Sequence, residues 1–425
     1  MDRKEYHPRV IDVQVERHLS AFGAVCIEGP KWCGKTWTSC YHSRSSVFLA
    51  DPAGNFQNRE LARLDPALVL EGEMPRLIDE WQEVPALWDA VRYKVDERNQ
   101  KGQFILTGSA TPVNKGILHS GAGRIARLRM RPMSLYESGH SSGAVSLQTL
   151  CSGEAKAEMT GEVKLTDLID YIIRGGWPAN QKGDIEEAAL LPKAYLNAIL
   201  EDDISRLDGV RRDSHKMELL LRSLARNEST TVSTRRLKND IQEVDHADMD
   251  IKTVSSYLDV LQRLFLLDNQ KPFSWPVRSS VRVKQAEKRH FADPSLAAAL
   301  LKLTPAMLLH DLETLGFLFE ALCERDLRIY GESFGAELYH YQDYNEKEID
   351  AVLGFNDGEW GAFEIKLGAN QIDKAAEGLL KQKEAIAAER DGKPPKVLGV
   401  ICGLSSAFYQ RPDGVYVIPI TALRP

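Results

Sequence analysis

No apolar run in the chain approaches the roughly 18 residues that would read as a membrane-spanning helix, so no membrane partner is expected. Cysteine is sparse, with six residues at positions 26, 33, 40, 151, 323 and 402. They form no C-x-x-C and no Cys/His cluster of zinc spacing, which argues against a disulfide framework or a zinc module and for reduced thiols. A strong charge of one sign is also missing. The formal net charge is −7 over 425 residues, so the chain as a whole does not advertise nucleic-acid binding. The first residues, Met1 to His7, are charged and lack the apolar core of a signal segment, and a cytoplasmic location is expected. Apolar residues make up 43% and charged residues 27%, which is ordinary for globular protein. At about 100 to 200 residues per domain, the length calls for two to four domains.

What is present begins with Gly29, Pro30, Lys31, Trp32, Cys33, Gly34, Lys35 and Thr36, which match G-x-x-x-x-G-K-[ST] at every fixed position. The apolar residues Ala24 to Ile27 ahead of them read as a buried strand, and Lys35 can open a helix. Glycines let successive backbone N–H groups turn inward toward anionic oxygens, and the helix N-terminus adds a favourable dipole. These eight residues are therefore expected to wrap the phosphates of a nucleoside triphosphate. Lys35 would reach the β and γ phosphates, and the Thr36 hydroxyl would take one position on Mg²⁺, a hard cation that prefers oxygen. Cys33 reads either as an oxidisable thiol or as a small residue that fits the loop. A second apolar run from Pro75 ends in Asp79 and Glu80. Asp79 would hold the Mg²⁺ shell and Glu80 would polarise the attacking water, because hydrolysis needs positioning and charge neutralisation around the γ phosphate. A third run, Phe104 to Ser109, ends in hydroxyls, so Thr107 or Ser109 could sense that phosphate or the water.

This order resembles the AAA superfamily of ATPases over about the first third of the chain, with Walker A, Walker B and sensor strand in sequence. In such ATPases the following region often carries an arginine that reaches a γ phosphate. Arg124, ahead of the alternating basic residues Arg127, Arg129 and Arg131, occupies that region. The other reading of this stretch is an edge strand kept soluble by its charges.

Residues 137–165 are rich in Ser and Gly, and helical spacing returns at Leu165, Leu168, Ile169, Ile172 and Ile173 before stopping at Gly175-Gly176-Trp177-Pro178. Residues 215–290 read as a winged helix-turn-helix. Met217 to Arg226 is helical in pattern, Thr234 can cap a short basic helix, and Thr253 can cap another that runs to about Leu267. Lys271, Arg278, Arg282, Lys284, Lys288 and Arg289 would form a basic wing able to follow a phosphate backbone. The same fold used only for packing is the alternative.

The last third carries a second constellation. Glu320 interrupts an apolar helical stretch, Asp350 heads a strand, and Glu364 and Lys366 lie two apart on another, so that they share a face. Asp350 and Glu364 would ligate Mg²⁺ or Mn²⁺, which would lower the pKa of a bound water that Lys366 would orient. A cross-strand salt bridge would look the same in sequence. The pattern resembles the PD-(D/E)xK nuclease superfamily, in which many members carry a helical acid; the resemblance implies that Glu320 joins Asp350 and Glu364 as a metal ligand.

The whole chain resembles a bacterial and archaeal family of AAA-type ATPases whose C-terminal region, of unknown function, holds a winged helix and a PD-(D/E)xK-like fold. Gly175 to Pro178 and Phe291 to Pro294 are similar to segments typical of that family. The expected architecture is α/β, with an AAA-type P-loop core at 1–136, a loop excursion and helical linker at 137–214, a winged helix at 215–290 and a nuclease-like domain at 291–425. The resemblance implies an ATP-hydrolysing protein acting on DNA, with nucleotide state controlling the nuclease-like domain and a homo-oligomer among its possible assemblies. The competing expectations are a nucleotide switch with a catalytically silent binding module, and a regulator built around the winged helix.

Overall fold

The three apolar runs of the first third become strands because each is short, continuous and covered on both faces, the pattern of a buried parallel sheet. In the computed structural model, β1 (Ala24–Glu28), β2 (Ser45–Phe48), β3 (Arg76–Asp79), β4 (Phe104–Gly108) and β5 (Ile125–Arg129) form one parallel sheet in the order β2-β3-β4-β1-β5. Residues 3–111, 117–207, 209–210, 212–245, 249–274, 286–342, 347–389 and 392–425 are described. Helix α1 (Asp12–Ala21) places Val15 against Val25, Ile27 and Leu77, and Cys33 joins that layer. The opposite face is filled by Trp81, Leu87, Trp88, Val91 and Val95. Because β1 and β4 run in parallel with Glu28 level with Gly108, the C-terminal ends of β1, β3 and β4 open on one edge, where sheets of this kind bind ligands.

Packing divides the chain into two units, neither of them continuous in sequence. One is Met1–Pro132 with Glu201–Arg212 and Asp259–Leu266; the other is Met133–Leu200, Asp213–Leu258 and Leu267–Pro425. The four consecutive segments read from the sequence follow chain order, and these units follow packing.

The second unit is built on an eight-stranded mixed sheet, β7-β13-β14-β12-β11-β10-β9-β8. Its members are β7 (Glu158–Met159), β8 (Lys271–Pro272), β9 (Glu337–Gln342), β10 (Glu348–Gly354), β11 (Trp360–Lys366), β12 (Val397–Cys402), β13 (Ala407–Gln410) and β14 (Tyr416–Pro419). Strand β10 pairs antiparallel with β9 and β11, while β11, β12 and β14 run parallel. Parallel neighbours need a crossover. The helix Ile372–Ala387 supplies one between β11 and β12, burying Ile372, Ala375, Ala376 and Leu379 in the core of this sheet. A separate pair joins β6 (Val145–Ser146) to β15 (Leu423–Arg424).

Helices stand at Ser214–Arg226, Thr234–Asp245 and Ile251–Arg263. Thr234 and Thr253 lie inside them and not at their caps, because Ser233 and Asp250 accept from the first-turn N–H groups of Arg236 and Lys252, and the last helix ends at Arg263, short of Leu267. The expected wing differs. Lys271 and Pro272 pair with β9 at the edge of the large sheet, and Gln270 bridges Lys288. Lys288 itself is 4% exposed, so it cannot follow a phosphate backbone, and the reason is that nearby acids hold it inside. Arg278, Arg282 and Lys284 lie outside the described residues. No helix among the described residues is long and apolar enough to cross a membrane.

Candidate functional site

At the open edge of the parallel sheet, Gly29 follows β1 with its Cα pressed against the backbone of Met130. A Cβ there would stand 2.1 Å from the Met130 carbonyl oxygen. Gly34 takes φ 105°, a conformation that glycine adopts without cost, and Trp32 is also left-handed at φ 65°. The chain then enters α2 (Lys35–His42). Lys35 Nζ donates to the Pro30 carbonyl at 2.8 Å. Arg9 braces the turn from behind, donating to the carbonyls of Cys33 at 2.8 Å and Arg131 at 2.9 Å. Cys33 is buried, which favours the small-residue reading of that position. Lys31 pairs with Asp203 at 2.5 Å.

Strands β3 and β4 bring the two acids and the hydroxyls to the same edge. Thr107 Oγ1 donates to Asp79 Oδ1 at 2.7 Å and accepts from the Glu80 N–H at 2.9 Å. Burial pushes the Asp79 carboxyl above its usual range, against the opposing effect of Thr107, Thr36 and Lys35 close by. Glu80 sits in the left-handed region, φ 58° and ψ 50°. Ser109 Oγ donates to Glu80 Oε2 at 2.8 Å, and the Gln82 amide donates to the same oxygen. Thr36, Lys35, Asp79, Glu80, Thr107 and Ser109 are thus brought together. The oxygen donors Thr36 and Asp79 suit a hard cation, and the Glu80 carboxylate is fixed by Ser109 and Gln82. Arg124 is not part of this group. Its carbonyl accepts from Ala24 N–H at the start of β1, and its side chain pairs with Asp96 at 2.8 Å. That is the end of the sheet away from the loop, so it cannot touch a phosphate held by its own chain. Arg9, Gln82 and Asp203 escaped sequence reasoning because each reaches the site from outside the motifs; Arg9 lies ahead of α1, with that whole helix between it and β1.

The second group lies on the large sheet. Asp350 on β10 faces Glu364 on β11 across the antiparallel pair, since Ala351 is level with Phe363. Lys366 Nζ stands 2.9 Å from Asp350 Oδ2 and 2.6 Å from Glu364 Oε2, while the Ile365 N–H donates to Asp350 at 2.8 Å. Burial, reinforced by the Asp350 charge, pushes Glu364 up to about 8. Burial works against ionised Asp350 as well, but Lys366 and Lys288 outweigh it and hold that carboxyl below its usual range. Glu320, on the helix Leu312–Ser333, is also pushed up to about 8, first by burial.

Four residues that the sequence did not single out for this site complete it. Lys288 Nζ is ion-paired with Glu320 and stands 3.6 Å from Glu324. His290 lies between Glu324, 2.5 Å from Nε2, and Glu228, 3.1 Å from Nδ1. Burial disfavours the charged imidazole, yet Glu324 and Glu228 outweigh it and raise His290 to about 9. Two ammonium groups thus stand among the acids expected to ligate a metal. Among the described residues no three His, Cys, Asp or Glu side chains are grouped as a ready metal-binding set.

Residues 21–139 match the family model described as AAA domain, and the match coincides with the loop, the acid pair and the sensor strand. The N-terminal part is a P-loop ATPase domain of the AAA type in a mixed α/β protein. Residues 165–306 and 315–423 match two models described as domains of unknown function, DUF8612 and DUF4143. Uncharacterized proteins of Mycobacterium tuberculosis and Mycobacterium bovis are each 25% identical over 357 residues, covering 83% of this chain and 72% of theirs. The Walker-type ATPase of Pyrococcus abyssi is a structural neighbour at 15% identity and TM-score 0.42, covering 70% of this chain and 97% of that one.

Proposed function

We propose that this protein binds and hydrolyses ATP with Mg²⁺, and that the nucleotide state governs a metal-dependent, nuclease-like action of its C-terminal region on DNA. The observation that carries the first half is the meeting of Thr36, Asp79, Glu80 and Thr107 beside Lys35. In this reading Lys35 and the loop N–H groups hold the phosphates, Thr36 and Asp79 hold the cation, and Glu80 takes a proton from the attacking water. The second half is supported by Asp350, Glu364 and Lys366 converging across two strands. Bound there, Mg²⁺ or Mn²⁺ would supply an activated water. Asp350 and Glu364 would hold the ion and Lys366 would offset charge on the scissile phosphate.

The pairing of Lys288 with Glu320, and of Lys366 with Asp350 and Glu364, favours a second reading, in which the C-terminal region is a silent DNA- or protein-binding module switched by the ATPase. Incubation of the purified chain with supercoiled and single-stranded DNA, with Mg²⁺ or Mn²⁺ and with or without ATP, separates the two. Cleavage lost in Lys366→Ala but ATP hydrolysis lost only in Lys35→Ala is the expected result. Hydrolysis without cleavage of any DNA would leave the switch reading standing, and loss of neither activity in either variant would remove both site assignments.

A further inference from the structure

Tryptophan is ordinarily well buried on folding, and Trp81, Trp88, Trp177 and Trp360 follow that rule. Among the described residues the exceptions are Trp32 at 53% and Trp37 at 37% exposure, and both flank Lys35 of the phosphate loop. Trp37 sits in the first turn of α2, directly after Thr36. Tyr41, 42% exposed, comes four residues later, so the two rings share one helix face. Tyr6 backs the far end of that face. Its ring stacks on Tyr41 with centroids 4.3 Å apart and planes 20° from parallel. Its hydroxyl donates to Asp12 at 2.7 Å and is bonded to Thr38 at 3.0 Å. Asp12 also accepts from the Arg9 N–H at 2.8 Å and lies 3.0 Å from His42 Nε2. The polar groups beside the rings are thus committed to holding them, and what the face offers a ligand is aromatic surface.

We infer that Trp37 and Tyr41, with Tyr6 behind Tyr41, form the platform on which the base of the bound nucleotide stacks, and that it selects purines as a class rather than adenine alone. This rests on the reading of residues 29–36 as a triphosphate loop. When loop N–H groups hold the α and β phosphates and Lys35 reaches the β and γ, the nucleoside leaves the loop on the α side. Trp37, next in the chain after the residues that grip the phosphates, is the first exposed ring on α2. Stacking tolerates any base because every base presents a π face. A purine presents a larger one than a pyrimidine, and with Asp12 and Thr38 already engaged the face has little means to read the edge of adenine against guanine.

Calorimetric titration of the full chain with ATP, GTP, CTP and inorganic tripolyphosphate, all with Mg²⁺, tests this beside Trp37→Ala, Tyr41→Ala and Tyr41→Phe. ATP and GTP should bind within about threefold of each other and CTP about tenfold more weakly, with each alanine variant costing ATP about tenfold, the range of one lost stacking contact. Tripolyphosphate should bind all variants alike, and Tyr41→Phe should keep ATP affinity. Unchanged ATP binding in both alanine variants would overturn the platform. Equal weakening of ATP and tripolyphosphate would also overturn it, since the rings would then only shape the loop. A large preference for ATP over GTP would overturn the purine-class selection. Failure of the loop reading looks different, because the unsubstituted chain would then bind neither ATP nor tripolyphosphate, and the platform would fall with it.

Discussion

Glu80 combines a backbone conformation that is uncommon for a non-glycine residue with hydrogen bonds that fix its carboxylate. Such strain persists where neighbours over-determine it, often at functional positions. Glu80→Gln keeps shape and removes the proposed base, so it should bind ATP yet lose hydrolysis by about 10²- to 10⁴-fold, as single-turnover hydrolysis beside nucleotide binding would read. Gly29→Ala acts through space instead. Its Cβ would meet the Met130 carbonyl at 2.1 Å, so the loop or β5 must shift. Denaturant unfolding should show a loss of about 1–3 kcal/mol, the usual range for overpacking, together with weakened ATP binding. The residues of this site were readable because loop, acid pair and sensor strand are each local patterns. Gln82 was not, since its role depends on the turn after Glu80, which no spacing rule marks.

At the scale of elements, the pair β10 and β11 delivers Asp350, Glu364 and Lys366 by strand alternation alone, which is why a short motif sufficed to find them. Lys288, His290, Glu324 and Glu228 reach the same region from three separated stretches of chain. In sequence, Lys288 looked like one more charge in a basic ribbon, because burial is decided by partners that local composition does not reveal. Its pairing with two buried acids gives it a structural cost if removed. Lys288→Met leaves Glu320 without its cation and Glu324 with His290, and above about pH 8, where Glu320 ionises, it should destabilise the protein by about 3–5 kcal/mol, measured by denaturant unfolding. Adding Glu320→Gln should restore part of that loss. Equal stability of the single and double variants would argue that the acids are already neutral.

Across the whole molecule, the buried ionisable groups make stability depend on pH with a definite sign. Glu320 and Glu364 are held up at about 8, against about 4.3 for an unperturbed glutamate. The folded chain therefore keeps protons that the unfolded chain releases. This contribution is fully present below about pH 4 and declines until it is lost near pH 8. His290, raised to about 9, acts in the same direction between about 6.5 and 9. Asp350, held low, opposes it only in acid. The thermal midpoint without divalent cations should accordingly fall between pH 6 and pH 9, with a shallower fall in Glu364→Gln. A midpoint that rises across this range would contradict the buried-acid account.

The second unit closes its sheets with strands far apart in the chain. Glu158 is level with Phe408, and Val145 with Leu423. On the ribosome these early strands must wait for partners made some 250 residues later, which at about 5–20 residues per second is roughly 10–50 s. Through that interval β6 and β7 have no native strand partner among the described residues. A message truncated before the codon for Leu423 would yield a chain in which residues 145–146 never find theirs, however complete the nucleotide-binding part already is.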